Sequence, residues 1–224
     1  MGILIALAVI AFWMWHLIYS LFYFQVDFSN FWTYLHILIQ AFLYTGLFIT
    51  AHDSMHRTIS RNKIINNTIG ALSTFLFAGM SFNRLMKNHK LHHDYPGTEK
   101  DPDFCTKSQN FFVWWTTFLI RYTTLTQIIV MGIAYNLFKY AGNVNELNLW
   151  LFWIIPAFLG TFQLFYYGTY MPHKYPHTEE MMPYNSRSLP KNHLWAMISC
   201  YFFGYHWEHH QDPSVAWWQL WKTK

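Results

Sequence analysis

Residues 31–56 read FWTYLHILIQAFLYTGLFITAHDSMH. The stretch from Phe31 to Ala51 is apolar over the roughly 20 residues that a helix needs to cross a bilayer, and it runs directly into His52. His56 follows four residues later, so a helix that continues past the membrane surface carries both imidazoles on one face. This stretch predicts a membrane-spanning helix that presents two metal-ligating side chains at its end.

The composition indicates an integral membrane protein. Of the 224 residues, 53% are hydrophobic and 12% are charged, whereas about 25% of a soluble domain is charged. Four apolar blocks are each long enough for one span: Ile3–Phe24, Phe31–Ala51, Phe111–Tyr140 and Leu147–Tyr170. The third of these holds one span plus an amphipathic lead-in and is interrupted by Arg121. A shorter block, Ile64–Met80, predicts a re-entrant or interfacial helix. We therefore predict a single all-α membrane domain over residues 1–224, with four transmembrane helices and the lipid bilayer as its surroundings.

The basic residues predict how these spans are oriented. Apart from Arg121 and Lys139, every Lys and Arg lies within residues 57–107 or 174–224. The positive-inside rule places both stretches, and with them both termini, in the cytosol. The sequence thus predicts a helical cap on the cytosolic side. The net charge of +4 is modest, and we expect no nucleic-acid partner.

Histidine is the most informative residue type, with 13 copies in the chain. Eight of them form three clusters, HDSMH (52–56), HKLHH (89–93) and HWEHH (206–210). Within each cluster the imidazoles are spaced to share one helical face. Eight neutral imidazoles exceed what one metal ion binds, so the clusters predict two ions, of a kind that imidazole suits. These ligands are His52, His56, His89, His92, His93, His206, His209 and His210.

Other sites and functions fit the sequence less well. HDSMH lacks the Glu of the zinc-protease motif HExxH, and HWEHH has Tyr205 where the inverted motif HxxEH needs a histidine. His16 and His36 lie inside the first two spans, where hydrogen bonding between helices explains them better than haem binding. A metal transporter or sensor would need more polar groups through the spans than these two residues and Arg121.

The histidine clusters resemble those of the integral-membrane desaturase, hydroxylase and alkane monooxygenase superfamily, which share HxxxH, HxxHH and HxxHH. Longer stretches are similar to bacterial and cyanobacterial β-carotene ketolases: YTGLFITAHDSMH (44–56), HKLHHDYPGTEKDPDF (89–104), QLFYYGTYMPHK (163–174) and FGYHWEHH (203–210). Two positions depart from that pattern, Arg57 where many ketolases have Gly and Phe202 where several have His. These departures bear on substrate preference.

The resemblance implies a di-iron site that uses O2 to oxidise C4 of a β-ionone ring. Two hydroxylations would give a geminal diol that loses water to a ketone, converting β-carotene to echinenone and then canthaxanthin. Zeaxanthin is a second possible substrate, and electrons would come from a separate donor such as ferredoxin. The same site in a fatty-acyl desaturase or hydroxylase is the alternative.

Acidic residues beside the clusters are candidates to support the ligands. A metal-bound histidine usually donates its other N–H to a carboxylate or carbonyl, and Asp53, Asp94, Asp101, Asp103 and Glu208 are placed to accept. We expect Asp53, Asp101 and Asp103 to serve the catalytic centre in this way. For Asp101-Pro-Asp103, turn formation and helix capping are an equally good explanation.

A ninth ligand is expected because HxxxH supplies two imidazoles where each HxxHH supplies three. His173 directly follows the last span, at the depth where the second span ends at His52. His177 lies beyond Pro176, and His193 lies beyond a proline-containing loop. The sequence therefore predicts His173 as the ligand, and the ketolase resemblance favours the same residue.

Overall fold

The structure, a computed structural model, describes all 224 residues as helices and connecting segments. This confirms the predicted all-α class. Two short 3₁₀ helices, Glu179–Met181 and Trp217–Thr223, accompany nine helices. In chain order these are α1 (Gly2–Phe22), α2 (Phe31–Met55), α3 (Lys63–Ala78), α4 (Phe82–Asp94), α5 (Phe111–Tyr122), α6 (Leu125–Ala141), α7 (Glu146–His173), α8 (His193–Cys200) and α9 (His206–Gln211).

Three helices, α1, α2 and α7, are individually long and apolar enough to cross a membrane. The remaining predicted span, over Phe111–Tyr140, is not one helix: α5 and α6 meet at an angle of 84°. Thr123 adopts an extended backbone, and the Thr124 side chain accepts a hydrogen bond from the Gln127 N–H, which starts a new helix. The count of spans is therefore three, or four if the bent pair is one broken span.

Helix α2 is the centre of the bundle, because it packs against α1, α3 and α7. Its side chains at Tyr44, Leu47 and Ile49 are completely buried. Close approach of α3 depends on Gly70, where an added Cβ would lie 2.8 Å from the Ser54 Cβ and overlap the ring of Phe82. The helix that carries the first histidine pair is thus fixed on three sides.

Helix α7 changes its winding twice before it ends at His173. Residues Trp150–Ile154 and Tyr166–Tyr170 form π-helical turns. Each turn directly precedes a proline-containing segment, at Pro156 and Pro172, where the missing N–H and the ring interrupt the α-helical hydrogen bonds. The helix continues through both prolines and buries His173, which is 1% exposed.

The histidines within the spans are hydrogen-bonded between helices. The His16 Nδ1 donates to the Gln40 side-chain oxygen at 2.5 Å, and the His36 Nδ1 donates to the His16 Nε2 at 2.9 Å. Both contacts join α1 to α2. These residues lie apart from the other histidines, as the sequence indicated.

The C-terminal tryptophan segment, Trp217–Thr223, is part of the cap, which we define as residues 56–110 and 174–224. The backbone N–H of Trp217 donates to the Asp53 carboxylate at 2.9 Å, and Leu220 is 2% exposed. The segment therefore ties the chain end to α2. Helix α8, with eight residues, is too short to cross a bilayer.

A bulky residue at Gly70 should separate α2 from α3. Overpacking costs about 1–3 kcal/mol, so Gly70→Val should lower the midpoint of thermal unfolding and the yield of monodisperse protein in detergent. Gly132→Ala is the matched control, because no atom lies within 4 Å of its added Cβ. Equal unfolding midpoints for the two variants would contradict the packing described here.

Candidate metal centre

Five histidines form the first group, the five-histidine group. They come from α2 and the residue that directly follows it, from α4 and from α9. One ring nitrogen of each lies within 4.8 Å of the corresponding nitrogen of every other. Its members are His52, His56, His89, His93 and His209. The group is partly buried, so its imidazoles face one another rather than solvent.

Four histidines form a second, fully buried group, the four-histidine group. The same 4.8 Å limit holds among His92, His173, His206 and His210, none of which is more than 4% exposed. The residues come from α4, from the last turn of α7 and from α9. Together the two groups contain all nine histidines predicted from the sequence.

The two HxxHH clusters each serve both groups. In α4, His89 and His93 point into the five-histidine group while His92 points into the four-histidine group. In α9 the division is reversed, because His209 alone joins the five-histidine group. Residues four apart share a helix face, and the third histidine of each cluster is rotated away from that face. Each helix therefore lies between the two groups and contributes histidines to both.

The ring nitrogens in each group lie close to one another. His210 Nε2 lies 3.2 Å from the Nε2 atoms of both His92 and His206, and His93 Nε2 lies 3.1 Å from His209 Nε2. A metal–nitrogen bond of about 2.1 Å, as zinc makes to histidine, sets ligands at right angles about 3.0 Å apart. The spacing fits imidazoles that surround a metal ion.

Hydrogen bonds on the opposite side of the rings fix the orientation of two imidazoles in the four-histidine group. His92 Nδ1 donates to the Asp101 carboxylate at 3.0 Å, and His173 Nδ1 donates to the Asn185 carbonyl at 2.9 Å. Both rings therefore direct their Nε2 atom into the group. The Nε2 atom of His173 is buried and has no hydrogen-bond partner, as is expected of a metal ligand.

Asp101 fulfils both roles that the sequence suggested. Besides His92, its carboxylate accepts the N–H groups of Gly97 and Asp103, each at 2.8 Å, which closes the turn. His92, Asp101 and Asp103 also lie close enough to share an ion. Three N–H groups, however, already occupy the Asp101 oxygens. Hydrogen bonding therefore explains why these three side chains lie together, without an ion between them.

The other acidic candidates divide into two sets. Asp53 lies 3.3 Å from His52 Nδ1 and also holds the Trp217 N–H, so it connects a histidine of α2 to the chain end. Asp103 accepts from the Tyr122 hydroxyl. Asp94 is exposed, and Glu208 pairs with Lys224 at 2.7 Å; neither contacts a histidine of the two groups.

The remaining candidates for the ninth position lie outside both groups. His177 Nε2 donates to the His173 carbonyl at 2.8 Å, and His193 Nδ1 contacts the Tyr205 hydroxyl at 3.1 Å. No sequence pattern singles out Asn185, whose side chain also donates to the Pro96 carbonyl at 3.0 Å. Its backbone has a φ of 46°, a conformation that asparagine tolerates better than most residues.

Electrostatics keeps most of the imidazoles neutral. Burial, together with neighbouring histidines, lowers the pKa of His56 to about 4 and that of His93 to about 2. His92 is the exception: burial lowers its pKa, but the adjacent Asp101 carboxylate overrides this and raises the pKa to about 9. Burial raises the pKa of Asp103 to about 6. Neutral imidazoles are the form that binds metal ions.

An apolar cavity of about 550 Å³ leads to both histidine groups. It runs between α7 and the helices α5 and α6, and most of its lining residues are hydrophobic. At one end lie Tyr135, Trp150 and Trp153, and at the other end it contacts His52, His89, His92 and His206. Because the cavity reaches members of both groups, a ligand inside it would approach the space between them.

Comparison with known proteins identifies the class. The family model for fatty acid desaturases matches residues 29–143 and 128–224, which include all nine histidines. The chain belongs to the fatty acid desaturase family. No solved structure matches it.

Within that family, the chain is similar to carotenoid ketolases. It is 36% identical to the zeaxanthin 4-ketolase of Chlamydomonas reinhardtii, over 100% of this chain and 53% of that protein. It is 34% identical to the β-carotene 4-ketolase 3 of Haematococcus lacustris, over 82% and 59%. With the β-carotene ketolase of Paracoccus sp. (strain PC1) it shares 34% identity, over 81% and 75%. The chain spans between half and three-fifths of the two algal proteins.

Proposed function

We propose that this protein is a carotenoid 4-ketolase that introduces keto groups at C4 and C4′ of β-ionone rings. The observation that carries the proposal is the apolar cavity of about 550 Å³ that ends on imidazoles of both histidine groups. Such a cavity accepts a hydrocarbon ring and excludes charged substrates. The names of the similar ketolases support β-carotene and zeaxanthin as substrates.

We further propose that the nine histidines hold two iron ions, one in each group. Imidazole ligands suit iron, and unlike thiolates they resist oxidation. The two cysteines, Cys105 and Cys200, are buried away from both groups. Iron in this position would supply the activation of O2 that oxidation of an unactivated C–H bond requires.

The residues of the chain position the substrate and exclude water. Side chains such as Phe118, Leu164 and Phe203 line the cavity beside the histidines, so a ring held there contacts mainly hydrocarbon and aromatic groups. Each hydroxylation consumes one O2, two electrons and two protons and releases water. Two rounds at one carbon give a geminal diol, which loses water to form the ketone.

The orientation and the electron supply belong to the same proposal. The basic residues of the cap favour a cytosolic position for the histidine groups and both chain ends. Electrons would arrive from a separate carrier such as ferredoxin, as the resemblance to the β-carotene ketolases implies. Lys87 and Lys90 are exposed on α4, the helix that supplies His89 and His93, and would attract an acidic carrier.

Active protein should contain two irons per chain. Elemental analysis of the purified protein measures this ratio directly, and an Fe:protein ratio of one would contradict the two-ion assignment. Alanine at any of the eight cluster histidines should abolish activity. Membrane insertion of these variants should persist, because the apolar spans are unchanged.

Position 173 should distinguish a ligand from a loop histidine. His173→Ala should lose bound iron and at least tenfold in activity, because the four-histidine group then retains three imidazoles. His177→Ala and His193→Ala are matched controls, and they should keep most of both, since neither ring enters a group. Normal iron and normal turnover in His173→Ala would show that water or another residue completes the site.

The product test uses a bacterium that makes β-carotene. Expression of the chain should convert this pigment to echinenone and canthaxanthin, which chromatography separates, and His52→Ala should leave the pigment unchanged. Cells that gain new acyl double bonds or hydroxyl groups, with carotenoids unaltered, would assign the protein to the fatty-acyl desaturases or hydroxylases instead.

A further inference from the structure

Asp103 is the only carboxylate that lines the cavity. All other acidic side chains lie outside it, and no Lys or Arg contributes to its wall. The surrounding residues of α5 and α7 are largely hydrocarbon or aromatic. A charged acceptor in such a wall is costly to bury without a hydrogen-bond donor.

The position of Asp103 is fixed by its neighbours. Its N–H donates to Asp101 at 2.8 Å, and its carbonyl accepts from the Trp114 indole at 2.7 Å. One carboxylate oxygen, Oδ1, accepts the Tyr122 hydroxyl, and Tyr122 also lines the cavity. The side chain is therefore held in place by α5 and by its own turn.

The second carboxylate oxygen has free acceptor capacity. Oδ2 makes no hydrogen bond within the protein, and its nearest cationic or histidine partner is His92 Nδ1 at 3.9 Å, beyond hydrogen-bond range. The Asp103 side chain keeps 15% of its surface exposed, at the wall of the cavity. The geometry leaves this oxygen accessible to a donor on a bound ligand.

We propose that Asp103, positioned by Tyr122, binds a hydroxyl group on the substrate ring and so determines how hydroxylated rings are processed. The inference rests on the proposed function, which supplies two sources of that hydroxyl. One is a hydroxyl that the substrate already carries, as on a zeaxanthin ring. The other is the hydroxyl formed at C4 in the first round of oxidation, which would be retained for the second.

The test compares Asp103→Asn with wild type in cells that make β-carotene or zeaxanthin. Asparagine keeps the size of the side chain but presents an N–H₂ group where a free acceptor stood. If the substrate's own hydroxyl is recognised, the ratio of zeaxanthin conversion to β-carotene conversion falls about tenfold, the effect of one hydrogen bond to a charged group. If the new hydroxyl is recognised, the ratio of 4-keto to 4-hydroxy product falls by a similar factor.

Two further variants separate this role from a structural one. Tyr122→Phe should move the same ratio in the same direction, because it frees the carboxylate that Tyr122 orients. Thr161→Val is the control: Thr161 also lines the cavity, but its hydroxyl donates to the Ala157 carbonyl at 2.8 Å, so both ratios should stay at the wild-type value. Equal loss on all substrates in Asp103→Asn, or unchanged ratios, would overturn the proposal.

A binding measurement keeps this test independent of turnover. Purified wild-type protein should bind 3-hydroxy-β-ionone or 4-hydroxy-β-ionone about tenfold more tightly than β-ionone, followed by tryptophan quenching, and Asp103→Asn should lose the difference. Wild-type protein that makes no keto product but shows this preference would contradict only the proposed function. Keto products without the preference would contradict only the role of Asp103.

Discussion

The structure depends on one constraint, the packing of nine imidazoles, six of them buried, with their ring nitrogens facing one another. Without a donor, each buried acceptor costs about 1–3 kcal/mol, and packing alone cannot remove that penalty. Metal ions satisfy several nitrogens at once. The rigid support around the groups follows from this: α2 is enclosed by three helices, His92 is held by Asp101 and His173 is held by Asn185. Apolar burial then lowers the pKa values of the other histidines and keeps them neutral, whereas Asp101 raises the pKa of His92.

Much of this could be predicted because it depends on local periodicity. The apolar blocks of α1, α2 and α7 and the spacing of the histidine clusters are properties of single helices. The division of the histidines into groups of five and four is not a property of a single helix, because it depends on how α4 and α9 lie relative to each other. Counting clusters nevertheless predicted one further imidazole, and the structure places His173, the predicted residue, beside the histidines of the smaller group.

Other features could not be read from the sequence because they arise from contacts distant along the chain. The 84° bend between α5 and α6 divides an apolar block in which the sequence predicts one span and an amphipathic lead-in but not the angle between them. Two adjacent threonines, one extended and one capping the next helix, produce the bend. Asn185 and Tyr122 had no distinguishing pattern, yet each orients a side chain at the site through a bond to a residue from another element.

Helix α7 has two functions along its length, since its middle forms a cavity wall and its last turn carries His173. A deletion of one residue in the wall would rotate the imidazole by about 100° and withdraw it from its group. The depth of the cavity therefore cannot evolve through changes in the length of this helix. Related enzymes that accept longer or shorter molecules should differ instead in the volume of individual side chains along α5, α6 and α7, while the number of residues between the prolines and His173 stays constant.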